Sequence, residues 1–303
     1  MPAEALLSRL RSGLRSGLGA IFARPNDDPI KTVAVALVLC LACSVVVSAT
    51  AVGLRPLQER NASLALKREI LRVAGIEAAG AEIERAFAAI EVRLVDLASG
   101  DYVAHPDPMS YSYRDAANDP LASLALGEED IAGIRRRPDK MPVYLVREDS
   151  TDAAGQSDAA GQIETVILPV YGYGLWSTMH GLVALHPDGR RAKALTFYEQ
   201  RETAGLGGEV ANPGWQAKWE DKTLIGPEGE PVIRVAKGPV DPTAADAHKR
   251  VDGLSGATLT TNGVTYLMQF WLGEQGFGPY LEKLRADNSA ANNSASVSEN
   301  SEG

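Results

Sequence analysis

A run of about 22 uncharged residues, VAVALVLCLACSVVVSATAVGL from Val33 to Leu54, constrains this 303-residue chain more than any other feature. A helix of that length, rising about 1.5 Å per residue, crosses the ~30 Å hydrocarbon core of a bilayer. A long buried helix of a soluble protein normally keeps a polar stripe, which this run lacks. The sequence therefore predicts a transmembrane helix at 33–54, after an N-terminal arm at 1–32, and makes the membrane the first expected partner.

A cleaved signal peptide is the alternative for this run. Its apolar core is normally about 7 to 15 residues long, shorter than the run, although Val47-Ser48-Ala49 is compatible with cleavage. Charge does not fix the orientation, because the arm carries five basic residues and a similar number follows the run. The basic residues that follow it are Arg55, Arg60, Lys67, Arg68 and Arg72.

The two cysteines and the distribution of charge exclude several kinds of site. Cys40 and Cys43 both lie in the apolar run, where small residues favour helix packing and a redox dithiol is disfavoured. Everything after the run is free of thiols, which excludes a disulfide framework, a cysteine zinc site or an iron–sulfur cluster there. The whole chain has a net charge of −9, and residues 1–54 carry +2, so residues 55–303 carry −11. This negative charge disfavours nucleic acid as a partner of the globular part.

After the apolar run the pattern is mixed. Residues 57–90 have amphipathic helical spacing broken near Gly75, which predicts a helical stalk over 55–90. Strands are expected at 92–97, 143–146, 163–171, 182–185, 194–198 and 232–236, and helices at about 260–273 and 279–286. Strands and helices that do not alternate strictly indicate an α+β domain, over 91–286.

Two segments have low-complexity composition. Residues 149–162 repeat Asp-Ala-Ala-Gly-Gln twice, which predicts a loose surface loop. The last residues, 287–303, are rich in Ser, Asn, Ala and Glu and predict a disordered acidic tail.

The common enzyme motifs are incomplete in this chain, and no catalytic or metal-ligating residue is predicted. Residues 172–177 begin like a dinucleotide fingerprint, but Ser177 stands where the third glycine is needed. The four histidines, His105, His180, His186 and His248, have no metal-ligand spacing and are interpreted as surface or packing residues. Residues 253–257 approach G-x-S-x-G around Ser255, but the polar segment Lys249-Arg-Val-Asp252, rather than a predicted strand, precedes them, and no histidine follows, as a hydrolase triad requires.

One further segment, DGLSGAT at 252–258, directly precedes the predicted late helix. Small residues there allow a phosphate to approach the backbone, and the first-turn N–H groups with the helix dipole stabilise its charge. The hydroxyl of Thr258 can also be esterified. From the residues alone, the alternative is an ordinary glycine turn in which Ser255, Thr258 or Thr260 caps the helix.

The same segment resembles the D-x-x-S/T-G-A-T motif by which FMN-binding domains receive flavin as a phosphodiester on threonine, with Thr258 as the acceptor. Three further features resemble the family of C subunits of the sodium-translocating NADH:quinone reductases. They are residues 169–179 (PVYGYGLWSTM), residues 197–208 (FYEQRETAGLGG) and the pair Trp215 and Trp219. The likeness covers about 30–285. One departure is Ala204, where the family usually has proline in E-T-P-G-L-G. The G subunit of Rnf-type electron-transport complexes, which shares the acceptor motif, is the close alternative.

The resemblance implies an α+β FMN-binding domain behind a single transmembrane helix, with the FMN-binding region at about 163–275. It implies covalent FMN on Thr258 as the cofactor, and a one-electron relay during NADH oxidation and ubiquinone reduction coupled to sodium export. The other subunits of a six-subunit complex and a dedicated flavin transferase are the implied partners. The bulk of the chain would face the periplasm of a bacterial inner membrane, with the arm in the cytoplasm.

The resemblance also implies site residues by position. Asp252 and Ser255 are expected to serve transferase recognition or acceptor positioning, and the backbone at Gly256 and Ala257 to hold the phosphate, with Lys218 as an added cation. The isoalloxazine pocket is expected to be lined by Trp176, Ser177, Thr203, Leu206, Gly207 and Gly208. For Trp176 ordinary core packing is the alternative. Two other classes stay open: a membrane-anchored non-redox binding module, and a secreted hydrolase that uses Ser255.

Overall fold

The computed structural model describes residue 23 and residues 25–147 and 162–299, with side chains described as far as residue 288. The predicted loop at 149–162, apart from its last residue, most of the N-terminal arm and the end of the tail lie outside the described residues. The chain divides into two compact units, Met1–Ser63 and Leu64–Gly303.

The long helix α1, Pro29–Ala74, begins in the first unit. It is long and apolar enough to cross a membrane, and its most apolar stretch is not buried against any other part of the described structure. Pro56 lies inside the helix and does not interrupt it, so the helix continues well past the predicted end at Leu54. An apolar helix of this kind fits the single-pass anchor predicted at 33–54.

The second unit includes the end of α1, which corrects the predicted stalk at 55–90. Ile70 and Leu71 of α1 are buried together with Ile83 and Phe87 of the short helix α2, Glu82–Phe87. They pack against sheet residues such as Ile167 in one apolar cluster. The apolar positions of the amphipathic pattern cover a sheet face, so residues from 64 onward belong to the folded unit. The predicted break near Gly75 is where α1 ends.

The other elements of the second unit follow in chain order. Its strands are β1 (Ile90–Asp96), β2 (Tyr102–Val103), β3 (Ser123–Ala125), β4 (Arg136–Pro138), β5 (Lys140–Arg147), β6 (Ile163–Tyr173), β7 (Thr178–Leu185), β8 (Ala192–Glu199), β9 (Arg234–Val235) and β10 (Arg250–Val251). Its further helices are α3 (Tyr113–Asn118), α4 (Pro213–Gln216), α5 (Thr258–Leu272) and α6 (Gly278–Glu299), with 3-10 turns at Pro108–Ser110, Gly127–Glu129, Gly207–Ala211, Ala217–Trp219 and Ala247–Lys249.

A six-stranded sheet in the order β2-β1-β5-β6-β7-β8 forms the centre of the unit, and all its neighbouring strands are antiparallel. Side chains of a strand alternate between the two faces. On β5, Val143 and Leu145 therefore join the cluster that contains Leu267 of α5, while Tyr144 and Val146 join the cluster under α1. Because both faces are covered, the central strands are apolar at nearly every position. This confirms the α+β class.

The predicted elements agree with the structure in their order and differ at their ends. The region between β1 and β5 contains β2, β3, β4 and α3, which the sequence patterns missed because each is short and mixed in polarity. Of the strand expected at 232–236, the structure contains only the two residues of β9. Instead of a disordered tail from 287, α6 continues to Glu299, since the Ala-rich and Ser-rich stretch contains no proline or glycine that would end a helix.

Candidate functional site

The segment before α5 folds as a tight turn, here named the Gly256 turn and consisting of Leu254–Ala257. The N–H of Ala257 donates to the carbonyl of Leu254 at 3.2 Å, and Gly256 has φ +70°. A positive φ at the third residue of such a turn is typical of type II and favours glycine. The turn delivers Thr258 as the first residue of α5.

The N-terminus of α5 has no side-chain cap. The residue at the N-cap position is Ala257, which cannot accept a hydrogen bond through its side chain. The alternative in which Ser255, Thr258 or Thr260 caps the helix is therefore wrong. An uncapped first turn leaves backbone N–H groups without an intrahelical partner at the positive end of the helix dipole. An anionic group such as a phosphate can satisfy them.

The hydroxyl side chains of the first turn divide into engaged and free groups. Thr260 and Thr261 are buried, and their hydroxyls take part in hydrogen bonds with Glu202 and with the N–H of Leu254, respectively. Thr258 is exposed, and no group in the described part of the chain hydrogen-bonds to its hydroxyl. Of the three threonine hydroxyls in this turn, the available one is therefore the predicted acceptor.

A second turn of the same kind lies against the first. In the Gly205 turn, Thr203–Leu206, the N–H of Leu206 donates to the carbonyl of Thr203 at 3.1 Å, and Gly205 has φ +74°. A Cβ added at Gly256 would lie 3.0 Å from Cδ2 of Leu206, so the two turns are in contact. Ala204 holds the second position, which accepts proline but does not need it. The departure from the family pattern at Ala204 therefore leaves the turn intact.

A buried carboxylate, Glu202, joins these turns to the β6–β7 hairpin. Its oxygens accept hydrogen bonds from the N–H groups of Leu175, Trp176 and Ser177 at 3.0 to 3.2 Å, and from the hydroxyl of Thr260 at 2.7 Å. The residues that meet here are distant in sequence. Glu202 lies in the family segment 197–208 but is not one of the predicted site residues; the only local signal in the sequence is an acidic residue directly before a glycine-rich turn.

The hydrogen bonds decide the charge of Glu202. Burial alone raises the pKa of this carboxyl, but the bonds from Thr260 and from the N–H groups of Trp176, Leu175 and Ser177 outweigh it and lower the pKa below its ordinary value. Glu202 is therefore ionised at neutral pH, and no ion-pair partner for it lies within residues 25–147 or 162–299.

Glycines allow these segments to approach closely. A Cβ at Gly207 would lie 2.5 Å from Oγ1 of Thr260, and one at Gly174 would lie 2.7 Å from Oε1 of Glu202. Neither distance is compatible with a side chain. The glycine-rich spacing of these segments thus has a packing reason in addition to any contact with a ligand.

The tip of the β6–β7 hairpin, residues 174–177 and here named the hairpin tip, and the neighbouring turns present apolar side chains to solvent. Trp176 is 66% exposed between β6 and β7, which excludes the core-packing alternative for this residue. Leu206 and Leu259, next to the two turns, are also exposed. Exposed apolar side chains around a polar centre are typical of a binding site.

The remaining predicted residues have clear structural positions. Lys218 forms an ion pair with Asp252 at 2.5 Å, so its charge is already partnered. That hydrogen bond, followed by one from the N–H of Val240, lowers the pKa of Asp252 below its ordinary value. Trp215 donates to the carbonyl of Asp252 at 2.8 Å. The hydroxyl of Ser177 accepts a hydrogen bond from the N–H of Arg201 at 2.9 Å.

The structure thus brings most of the predicted site residues together, while the ion pair of Asp252 and Lys218 lies beside them. Residues 255–258, 176–177 and 202–208 are joined through Glu202, Thr260 and the contact between the two turns. Asp252 and Lys218 form the adjacent ion pair at the start of the acceptor segment. Among the described residues, no group of three or more His, Cys, Asp and Glu side chains could hold a metal ion.

Comparison with protein families gives a match to the FMN-binding domain over residues 174–273. Curated proteins similar to this chain include the C subunit of the Na(+)-translocating NADH-quinone reductase of Yersinia pestis, 47% identical over 267 residues, covering 86% of this chain and 95% of that protein. The protein of the same name from Pseudomonas aeruginosa is 45% identical over 265 residues, covering 86% of this chain and 97% of that protein.

Solved structures agree with the sequence comparison. The crystal structure of Shewanella oneidensis NqrC matches with a TM-score of 0.65 and 33% identity, covering 73% of this chain and 96% of that one. The crystal structure of the C subunit of the Na(+)-translocating NADH-quinone reductase from Parabacteroides distasonis, at 23% identity and a TM-score of 0.55, shares the fold and covers 76% of this chain and 96% of that one.

Proposed function

This chain belongs to the family of C subunits of the Na(+)-translocating NADH-quinone reductases, and from that premise we propose that it carries FMN covalently on Thr258 and relays single electrons. An FMN-binding domain in a subunit of this oxidoreductase is consistent with an electron carrier. The covalent bond, the attachment residue and the place of the relay in the complex are our proposals.

The exposed hydroxyl of Thr258, without a partner among the described residues, carries the proposal. Thr258 is the first residue of α5, beside an uncapped turn of backbone N–H groups, and the hydroxyls of Thr260 and Thr261 are engaged elsewhere. A phosphodiester on Thr258 would keep a negative charge at the positive end of the helix dipole, where it is stabilised by about 0.3–1 kcal/mol or more. The same arrangement supports roles for Ser255, Gly256 and Ala257 in holding the phosphate.

The surroundings of Thr258 fit the rest of an FMN molecule. A flat aromatic ring system needs apolar contacts, and Trp176, Leu206 and Leu259 expose apolar surface around the two turns. Ser177 is bonded through its N–H to Glu202, the residue before Thr203, and a Cβ at Gly208 would lie 3.1 Å from the carbonyl oxygen of Thr203. We assign these residues to the pocket, with FMN supplying the electron-transfer chemistry and the protein supplying position and electrostatics.

Attachment requires a group transfer for which this chain supplies the nucleophile. We propose that Oγ1 of Thr258 forms the bond to the phosphorus of the FMN half of FAD, under a flavin transferase. The pyrophosphate bond to the AMP half breaks, AMP leaves, and the hydroxyl loses its proton. Asp252, at the start of the acceptor segment and ionised through its bond to Lys218, is the proposed recognition or positioning group. Lys218 then acts on the phosphate only indirectly, through that pair.

The wider setting follows from the family. We propose a single-pass subunit of the bacterial inner membrane with the FMN domain in the periplasm, associated with the other subunits of a six-subunit complex. There it would serve NADH oxidation and ubiquinone reduction coupled to sodium export. The apolar run at 33–54 contains no Asp, Glu, Lys or Arg, so this chain offers no ion path of its own there, and sodium would move through other subunits.

Mass spectrometry of the native chain tests the attachment. The tryptic peptide that contains Thr258 is expected to be heavier by one FMN residue in cells that contain the flavin transferase. Thr258→Val should remove the added mass, and the matched control Thr265→Val, on the same helix and in the same tryptic peptide, should retain it, because the hydroxyl of Thr265 bonds, among the described residues, only to the backbone of Val235 and Thr261. An unmodified peptide from transferase-containing cells, or unchanged labelling in Thr258→Val, would overturn the proposal.

Protease access tests the orientation separately. A protease confined to the periplasmic side of spheroplasts is expected to cleave the C-terminal region after residue 287. Protection of that region in intact spheroplasts, with cleavage after lysis, would reverse the proposed orientation.

A further inference from the structure

We propose that Glu202 is a positioning residue of the flavin site and that its negative charge lowers the reduction potential of the bound flavin. The inference rests on the proposed FMN site. It concerns what this carboxylate does there beyond holding the fold together.

The positioning role follows from the geometry of the hydrogen bonds. Three consecutive backbone N–H groups, at Leu175, Trp176 and Ser177, converge on the two carboxylate oxygens at 3.0 to 3.2 Å. This fixes the backbone of the hairpin tip that carries the exposed Trp176. The bond from Thr260 at 2.7 Å ties the same carboxylate to the first turn of α5, two residues beyond the acceptor Thr258. Glu202 therefore sets the position of the hairpin tip relative to the attachment point.

The electrostatic role follows from what these donors lack. All are neutral dipoles, and within the described residues no lysine, arginine or histidine pairs with Glu202. The dipoles stabilise the charge without cancelling it, so a full negative charge stays in a buried position, where solvent screens it weakly. Adding an electron to a nearby group is less favourable beside such a charge, so the reduction potential of that group is lowered.

A purely structural carboxylate would not need its charge. The amide of glutamine is close in size, its oxygen can accept the backbone N–H bonds, and its NH2 group can donate to Oγ1 of Thr260. Glu202→Gln thus keeps most of the positioning while removing the charge. Thr260→Val has the opposite effect: Glu202 keeps its negative charge, but the hydroxyl dipole that partly offsets that charge is removed. The two variants are expected to shift the potential in opposite directions.

The experiment is a redox titration, at pH 8 and followed by flavin absorbance, of the full chain purified in detergent from cells that contain the flavin transferase. Relative to the parent chain, Glu202→Gln should raise the midpoint potential and Thr260→Val should lower it. The matched control is Glu164→Gln, which makes the same charge change at the far end of β6, where Glu164 pairs with Lys193. At about 3.3 Å per residue, that end lies roughly 30 Å from the hairpin tip, so the control should leave the potential unchanged.

Hydrogen exchange of the chain before flavin attachment separates position from charge. Protection of the amides of Leu175, Trp176 and Ser177 should fall in Glu202→Ala and be largely kept in Glu202→Gln. Equal protection in Glu202→Ala and the parent chain would overturn the positioning role.

The outcomes distinguish this inference from the proposed function. A parent chain without flavin defeats the FMN site itself. A flavin-loaded Glu202→Gln chain whose potential equals that of the parent defeats the electrostatic role alone. If Glu202→Gln does not fold, an unchanged potential in Thr260→Val overturns that role instead.

Discussion

Two ionisable residues of this domain, Glu202 and His180, each have 8% of their surface exposed and differ in charge. Hydrogen bonds overcome burial at Glu202 and lower its pKa, so it is ionised. His180 lies among aromatic rings, stacked on Tyr171 at 5.4 Å and bonded to the hydroxyl of Tyr113 at 3.2 Å. Burial, and then the charge of Arg114, lowers the pKa of His180 to about 4, so it is neutral.

The difference shows that hydrogen-bond donors, together with depth of burial, determine where this fold holds charge. Donors converge on Glu202, at the end of the sheet where Thr258 and the two glycine turns lie. At His180 the neighbours are rings that exclude water and offer few dipoles. One region is suited to hold charge close to a cofactor, and the other packs the sheet against α3 and α5. Substitutions in the two regions test that contrast.

Removing the carboxylate should have the largest effect on stability. Glu202→Leu leaves backbone N–H groups and the Thr260 hydroxyl without an acceptor, at a cost of about 3 kcal/mol or more of the free energy of unfolding. Urea unfolding of the full chain in detergent at pH 7 measures it. The matched variant Glu164→Leu loses only a half-exposed ion pair and should cost under about 1 kcal/mol. Equal losses in the two variants would contradict the contrast.

The neutral histidine should appear in the acid dependence of stability. The folded pKa of His180, about 4, lies below the ordinary value of 6.5, so the unfolded chain takes up the proton first. Stability is therefore lost as the pH falls from 6.5 to 4, by up to about 3 kcal/mol at 1.36 kcal/mol per pKa unit. The contribution of Glu202, whose folded pKa lies below 4.5, is complete above that value and is lost as the pH falls from 4.5 through the folded pKa.

Unfolding curves of the parent chain and His180→Phe between pH 7 and 4 measure this loss. Phenylalanine keeps the ring stack on Tyr171 and cannot be protonated, so the variant should lose less stability across this range. Parallel curves would show that His180 is not neutral in the folded chain.

Substitutions of two threonines in the first turn of α5 should differ by a smaller amount in their cost to the free energy of unfolding. Thr260→Val removes a buried donor to Glu202 and should cost about 1–3 kcal/mol, whereas Thr258→Val, at an exposed position, should cost under about 0.5 kcal/mol. Unfolding of the chains without flavin compares them directly. A larger cost at Thr258 would mean that its hydroxyl has a structural partner.

The smallest effect is expected at the Gly205 turn, directly after Glu202. Ala204→Pro places proline at the second position of a type II turn and should stabilise the chain by about 0.4–1 kcal/mol, chiefly by restricting the unfolded state. The reference variant Ala211→Pro, at the end of the following 3-10 turn, should not stabilise the chain. Destabilisation by Ala204→Pro would show that the turn is not type II.

Much of the fold could be predicted from local pattern. The apolar run predicted an uninterrupted helix, the apolar alternation and runs predicted β1 and β5 to β8, and the spacing at 260–273 predicted α5. The patterns could not show that α1 continues through Pro56 and that its end covers one face of the sheet, because that face consists of residues distant in sequence. They also missed β2 to β4, whose pairing depends on neighbours rather than on their own composition.

The candidate site was predicted unevenly for the same reason. The glycine-rich segments and Thr258 were recognisable because their residue types are unusual at that spacing. Glu202 was missed because an isolated glutamate carries no local sign of burial; its donors come from 27 residues earlier and 58 residues later. The pairing of Lys218 with Asp252 likewise depends on the fold.

The separation of those donors along the chain has a consequence for biogenesis. The carboxylate, the hairpin tip and the first turn of α5 come together only after synthesis has passed Thr260 and the chain has folded. A modifying enzyme that recognises this assembled surface would therefore distinguish mature chains from nascent or misfolded ones. Attachment of FMN to Thr258, which we propose, would then act as a late checkpoint, and the fraction of labelled polypeptide would report the yield of correct folding in the cell.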